Sequence, residues 1–138
     1  MAKLNKNAQK LVDALRSGKY KQTKHALHTV ADDGYCCLGV ACDVYEKETG
    51  KTLTRSEQTM TIGPNNGRSR RVTTFDGEPF SLPQEVQDFY NFKTNCGSFK
   101  KPIENAYSLD MLNDAGENFD TIADIIESKP EGLFGKSK

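Results

Sequence analysis

The sequence predicts an α+β fold: one compact domain of about four to five helices packed on a small, mainly antiparallel sheet. Three observations lead there. Apolar residues recur at helical spacing near both ends, as Leu4, Ala8, Leu11, Val12 and Leu15 and again as Phe119, Ile122, Ala123 and Ile126. The stretch 51–82 is rich in β-forming Thr, Ile, Val and Phe. Turn signals at Asp32-Asp33-Gly34, Pro64-Asn65-Asn66-Gly67 and Asp76-Gly77 punctuate the short strands. The 138 residues suit one domain, which buries about two-thirds of its unfolded surface without a disulfide or metal.

Taken in order, residues 5–16 form an amphipathic helix with a lysine-rich outer face, stopped by Gly18. Residues 19–24 are polar and basic and read as a loop. Residues 26–30 make a short strand, which turns at Asp32-Asp33-Gly34 and returns through Tyr35-Cys36-Cys37 as a hairpin. Residues 38–49 are helical, with Leu38, Ala41, Cys42 and Tyr45 on one side and Gly50 as the stop. Gly39, in the first turn, permits close backbone approach.

Two or three short strands fill 51–82, with Arg68, Arg70 and Arg71 exposed near one turn. Pro83 takes the first position of the next helix, whose inner side is Val86, Phe89 and Tyr90. Residues 93–105 read as a loop holding Cys96. A short helix with Leu109, Met111 and Leu112 stops near Gly116, and Asn118 caps the last helix. The pair is a structural helical hairpin, because Asp120, Asp124 and Glu127 oppose a phosphate backbone. The domain spans 1–130, and 131–138 is expected to be a flexible tail.

The formal net charge is zero, with 28 % charged and 36 % apolar residues. That balance argues against a disordered chain and against nucleic-acid binding by bulk charge. The charge is nevertheless uneven: residues 1–30 carry seven Lys or Arg and one acid, Asp13, while residues 103–131 carry eight acids and one base, Lys129. No apolar run reaches the roughly 18 residues of a membrane span, and the N-terminus lacks a secretory core. The expectation is a cytoplasmic protein with reduced thiols. Cys36, Cys37, Cys42 and Cys96 lack zinc-site spacing, so neither metal nor cofactor is expected.

Two kinds of chemistry are open to these residues. Cys36 or Cys37 near a helix N-terminus is a candidate nucleophile, with His25 or His28 as base. Free cysteine, however, behaves as a small buried hydrophobe, and the preferred reading places both thiols in the core. An anion site is the more economical reading. Lys19, Lys21, Lys24, Arg68, Arg70 and Arg71 supply charge and forked hydrogen bonds for phosphate. Gln22, Thr23 and Asn113 suit ribose or base edges, and Tyr20, Tyr35 or Phe75 offer a ring for stacking. His28 completes the candidate ligand set. If the protein were a metal-independent hydrolase, His28 with Lys21 and Lys24 would carry the chemistry.

The succession from Arg16 to Lys24, then Leu27-His28, then Tyr35-Cys36-Cys37-Leu38-Gly39-Val40-Ala41-Cys42-Asp43 resembles a family of small bacteriophage proteins. Leu82-Pro83 and Leu112-Asn113-Asp114-Ala115-Gly116, with Phe119, Ile122, Ala123 and Asp124, match its C-terminal pattern. The resemblance covers 9–127, with a poor match over 51–80, and the cysteine motif is its specific part. By analogy with phage accessory proteins of this size, it implies a counter-defence protein in the host cytoplasm. Such a protein would sequester a cyclic dinucleotide or an ADP-ribose derivative as a homo-oligomer. Cleavage of that signal, or inhibition of a host protein through the acidic C-terminal helices, are the alternatives.

Overall fold

The structure, a computed structural model, describes residues 3–63 and 67–135. The chain is built around helix α2 (Cys37–Thr49), whose residues from Cys37 to Tyr45 are buried except Asp43. Its apolar surface therefore runs round most of the helix rather than along the one side expected, and it packs on several neighbours. These are α1 (Lys6–Arg16), α3 (Gln84–Tyr90), α4 (Leu109–Asp114) and the strand that precedes it, β3 (Gly34–Tyr35). Helix α5 (Phe119–Glu127) packs mainly on α1. Asn5, Ser108 and Asn118 cap α1, α4 and α5 by accepting backbone N–H groups.

The main sheet has five strands in the order β1-β3-β2-β5-β4. These are β1 (Lys21–Gln22), β2 (His28–Thr29), β3, β4 (Arg55–Ile62) and β5 (Arg68–Phe75). All its pairings are antiparallel except β1 with β3. The expected hairpin is present, with His28 opposite Tyr35 and Thr29 opposite Gly34. Strands β4 and β5 pair along eight residues each, from Arg55 opposite Phe75 to Ile62 opposite Arg68. Residues 64–66 of the expected turn between them lie outside the described residues. Ala26, Ile62 and Val72 form a small core of their own beside this hairpin, with Met60 against it.

Four expectations need correction. Lys21–Gln22 is a strand, not loop, because β3 presents a free edge to it. Residues 93–105 are not all loop: β6 (Ser98–Ile103) pairs with β7 (Ala106–Ser108) in a second sheet. Pro83 caps α3 rather than entering it, with φ −56° and ψ 150°. The tail is packed through residue 135. Leu133 is fully buried, Phe134 stacks on Phe92 with centroids 5.4 Å apart, and the Lys93 N–H donates to the Leu133 carbonyl at 2.9 Å. Residues 136–138 lie outside the described residues. Among the described residues, no helix is long and apolar enough to cross a membrane.

Candidate functional site

The cysteine motif proves to be frame. Cys36, Cys37 and Cys42 are buried, and all three sulfurs are free thiols. Burial pushes the Cys36 thiol up to about 12 and Cys37 and Cys42 well above the ordinary value. Any benefit of the helix N-terminus is outweighed by desolvation. A cysteine nucleophile is thereby disfavoured. A thiol reagent added to the native protein should label one site, Cys96, which alone is partly exposed. Peptide mapping after alkylation checks this; fast labelling of Cys36 would contradict it.

The basic segment 19–24 does not form one surface. The Tyr20 hydroxyl donates to Asp43, which also receives Lys47 at 2.9 Å and Arg55 at 3.4 Å. Burial and Asp43 push the Tyr20 phenol up to about 12. Burial raises the Asp43 carboxyl, but Tyr20 and Lys47 outweigh that and hold it below its usual range. Tyr35 lies against Tyr20 edge-on at 5.2 Å and against His28 at 4.6 Å. Phe75 is fully buried beneath the Arg55 guanidinium, so it cannot stack on a base. Lys19, Lys21 and Lys24 are exposed.

Gln22, Thr23 and Asn113 belong to the frame rather than to a ligand pocket. Asn113 is fully buried. Its Oδ1 accepts from Gln22 Nε2 at 2.8 Å and from the Cys37 N–H at 3.2 Å, and its Nδ2 donates to the Thr23 carbonyl at 2.7 Å. Gln22 also donates to the Glu117 carbonyl at 2.8 Å. Thr23 is buried and accepts from the Thr29 hydroxyl at 2.9 Å. These bonds join the segment before the hairpin to α2 and α4.

His28 is similarly engaged. Its Nδ1 lies 2.8 Å from Thr73 Oγ1 and its Nε2 2.7 Å from Asp33 Oδ1, with the side chain 11 % exposed. A general base must reach the proton of a substrate or of an accessible nucleophile. Here the hydroxyl that meets Nδ1 belongs to Thr73, which is itself buried, so the Thr73–His28–Asp33 chain presents no accessible nucleophile.

The three arginines line one notch, Arg68 and Arg70 from one face of β5 and Arg71 from the other. Strand β2 ends beside the middle of β5, and the Val30 N–H donates to the Arg71 carbonyl at 3.0 Å. In an antiparallel strand alternate residues present both backbone groups to the same edge. The Ser69 N–H and C=O therefore point to the edge that β2 no longer covers. The notch is a cavity of about 560 Å³ lined by Val30, Ala31, Arg68, Ser69, Arg70 and Arg71. Arg71 pairs with Glu57 at 2.7 Å and Arg70 loosely with Asp32 at 3.6 Å. Arg68 is exposed and has no carboxylate partner among the described residues. Lys19, Lys21 and Lys24 are not part of this cavity.

A second cavity, of about 490 Å³, has Cys36 and His25 in its lining, two residues of the disfavoured nucleophile reading, together with residues the sequence reading did not single out. Ala26, Ile62 and Phe80 form apolar wall, and His25, Asp110 and Asp114 contribute polar groups. His25 sits at φ +70°, in the left-handed region. Its N–H donates to Asp114 Oδ1 at 2.8 Å, and its Nδ1 lies 3.5 Å from Asp114 Oδ2. Burial, with a contribution from Asp114, holds the Asp110 carboxyl above its ordinary value despite its bond from Ser108. For the two acids the available sequence signal was their spacing, four apart and so on one face of a helix. Ile62 of this cavity is the register partner of Arg68 in the notch, so the two cavities adjoin at one end of the β4–β5 hairpin.

Among the described residues, no three His, Cys, Asp or Glu side chains are grouped to hold a metal ion. Residues 4–130 match a family described as a domain of unknown function, DUF8296. The chain belongs to that family. No curated protein and no solved structure matches it.

Proposed function

We propose that this DUF8296 member binds a phosphorylated nucleotide in the arginine notch and holds it without transforming it. The carrying observation is the cavity where β5 outruns β2, with Arg68, Arg70, Arg71 and the uncovered Ser69 backbone around one space. Its volume of about 560 Å³ suits a small-molecule ligand. Guanidinium groups recognise phosphate through paired, charge-assisted hydrogen bonds, and an uncovered N–H adds a further donor. The apolar surface of Val30 and Ala31 complements the charge.

Binding is favoured over cleavage because the candidate catalysts are buried or largely buried. The motif thiols are buried and protonated, and His28 is 11 % exposed with the buried Thr73 hydroxyl against its Nδ1. The acidic C-terminal helix is a weaker docking surface than its charge suggests, since Arg16 pairs with Asp124 at 2.5 Å and Glu127 at 3.0 Å. The resemblance to small bacteriophage proteins supplies a setting. In it the ligand is a nucleotide immune signal, a cyclic dinucleotide or an ADP-ribose derivative, sequestered in the host cytoplasm by a homo-oligomer.

A thermal-shift panel of cyclic dinucleotides, ADP-ribose and linear nucleotides tests the proposal. A ligand at 100 times its Kd stabilises the native state by about 2.7 kcal/mol, or roughly 10 °C for a domain of this size. Arg68→Ala should remove most of that shift while leaving the unliganded Tm nearly unchanged, because Arg68 is exposed. No shift with any member of the panel would overturn the proposal.

A further inference from the structure

We infer that the His25–Asp110–Asp114 cavity is the base pocket of the same ligand and selects guanine. This rests on the arginine notch holding the phosphate. One observation connects the two. Ile62, in the wall of the base pocket, and Arg68, in the notch, are direct register partners. Residues paired in this way share one face of a hairpin, with Cβ atoms about 5 Å apart. A nucleotide bound along that border reaches the pocket with its base and the arginines with its phosphate.

The pocket walls suit a flat ring. Phe80 is 43 % exposed and stacks on no other ring among the described residues. Large apolar side chains left uncovered beside a cavity mark a binding surface more often than isolated ones elsewhere. Ala26 and Ile62 continue the apolar surface. The His25 ring lies by the hairpin end, where a Cβ placed on Gly63 would be 3.7 Å from its Cδ2.

The polar groups choose the base. Asp110 Oδ1 already accepts from the Ser108 hydroxyl and from the Met111 N–H at 2.9 Å. No residue among those described bonds Asp110 Oδ2, and Asp114 Oδ2 meets only His25 Nδ1 at 3.5 Å. The pocket is thus rich in acceptors. Ionised carboxylates accept only, so they match a base edge with adjacent donors. Guanine presents N1–H beside N2–H₂. Adenine sets its N6–H₂ beside the N1 acceptor, cytosine sets its N4–H₂ beside N3, and uracil flanks one N–H with two carbonyls. Each of these three would bring a lone pair against a carboxylate in a partly dry site, which is costly.

Titrations of cyclic di-GMP, cyclic di-AMP, GMP and AMP with the full chain test this, alongside thermal melts of each variant. The guanine member of each pair should bind at least about tenfold more tightly. Asp110→Asn keeps an oxygen for Ser108 and Met111, and should fold. It should lose the guanine preference by about tenfold or more without weakening the adenine ligands. Phe80→Ala, at an exposed site, should weaken the guanine ligands at unchanged Tm. Equal binding of guanine and adenine ligands, abolished by Arg68→Ala, would overturn base selection and leave the phosphate site standing. An unchanged guanine preference in folded Asp110→Asn would also overturn it. If none of the four binds, guanine selection is overturned, and the phosphate reading is decided by the wider panel that includes ADP-ribose.

Discussion

Gly39→Ala should destabilise the fold by about 3 kcal/mol, the upper part of the range for overpacking a close contact. A Cβ at this position would overlap the Leu27 carbonyl oxygen, with the carbonyl carbon only 2.8 Å away. The Leu27 backbone has little freedom to withdraw. Its N–H donates to the Pro79 carbonyl at 2.9 Å, and its carbonyl accepts the Cys36 N–H at 3.1 Å. Alanine would otherwise gain about 1 kcal/mol over glycine inside a helix, so the sign of the result isolates the contact. Urea unfolding monitored by far-UV circular dichroism measures the change. A variant as stable as wild type would mean that α2 does not approach the chain before the hairpin as closely as described.

Asn113→Ala should cost roughly 3 kcal/mol as well, through a different mechanism. One fully buried amide group serves Gln22, the Cys37 N–H and the Thr23 carbonyl. Alanine removes all three bonds and strands a buried donor and a buried acceptor, each worth about 1–3 kcal/mol when left unmade. Relaxation and water entry keep the sum below the arithmetic total. Asn113→Asp should be no better, since it turns the group facing the Thr23 carbonyl into a second acceptor. Gln22→Ala, at a half-buried residue, should cost less than either. The same unfolding curves rank these variants. A neutral Asn113→Ala would restore Asn113 as a free polar group.

These two residues show where sequence reasoning reached and where it stopped. The glycine at 39 was legible because glycine early in a helix signals close approach whatever the partner. The partner itself, the Leu27 carbonyl, was not. Asn113 looked like a ligand donor because amides suit base edges, and nothing local tells a buried amide from an exposed one. Helices α1 and α5 were read correctly because each carries its own 3.6-residue apolar period. The β2–β3 hairpin was marked by its Asp-Gly turn. Strands β1 and β6 were missed because Lys21-Gln22 and Lys100-Lys101-Pro102 carry no strand pattern; β1 takes its form from β3 further along the chain, and β6 from the adjacent β7 across the tight turn at Glu104-Asn105, both at positive φ.

The candidate site divides in the same way. Arg68, Arg70 and Arg71 were found because one strand delivers all three to one place. Their separation from Lys19, Lys21 and Lys24 depends on sheet order, which charge counting does not contain. The His25–Asp114 contact joins residues 89 apart in sequence, and no short-range pattern announces it. The packed tail depends on Leu133 and Phe134, too few apolar residues to show a period.

The most direct test of the central claim is equilibrium dialysis of wild-type and Arg68→Ala protein against the nucleotide that gives the largest thermal shift, followed by mass analysis of the released ligand. The account predicts saturable retention by wild type, at least about tenfold weaker retention by Arg68→Ala, and recovery of the ligand unaltered. Equal retention by the two proteins, or a ligand recovered in cleaved form, would contradict it.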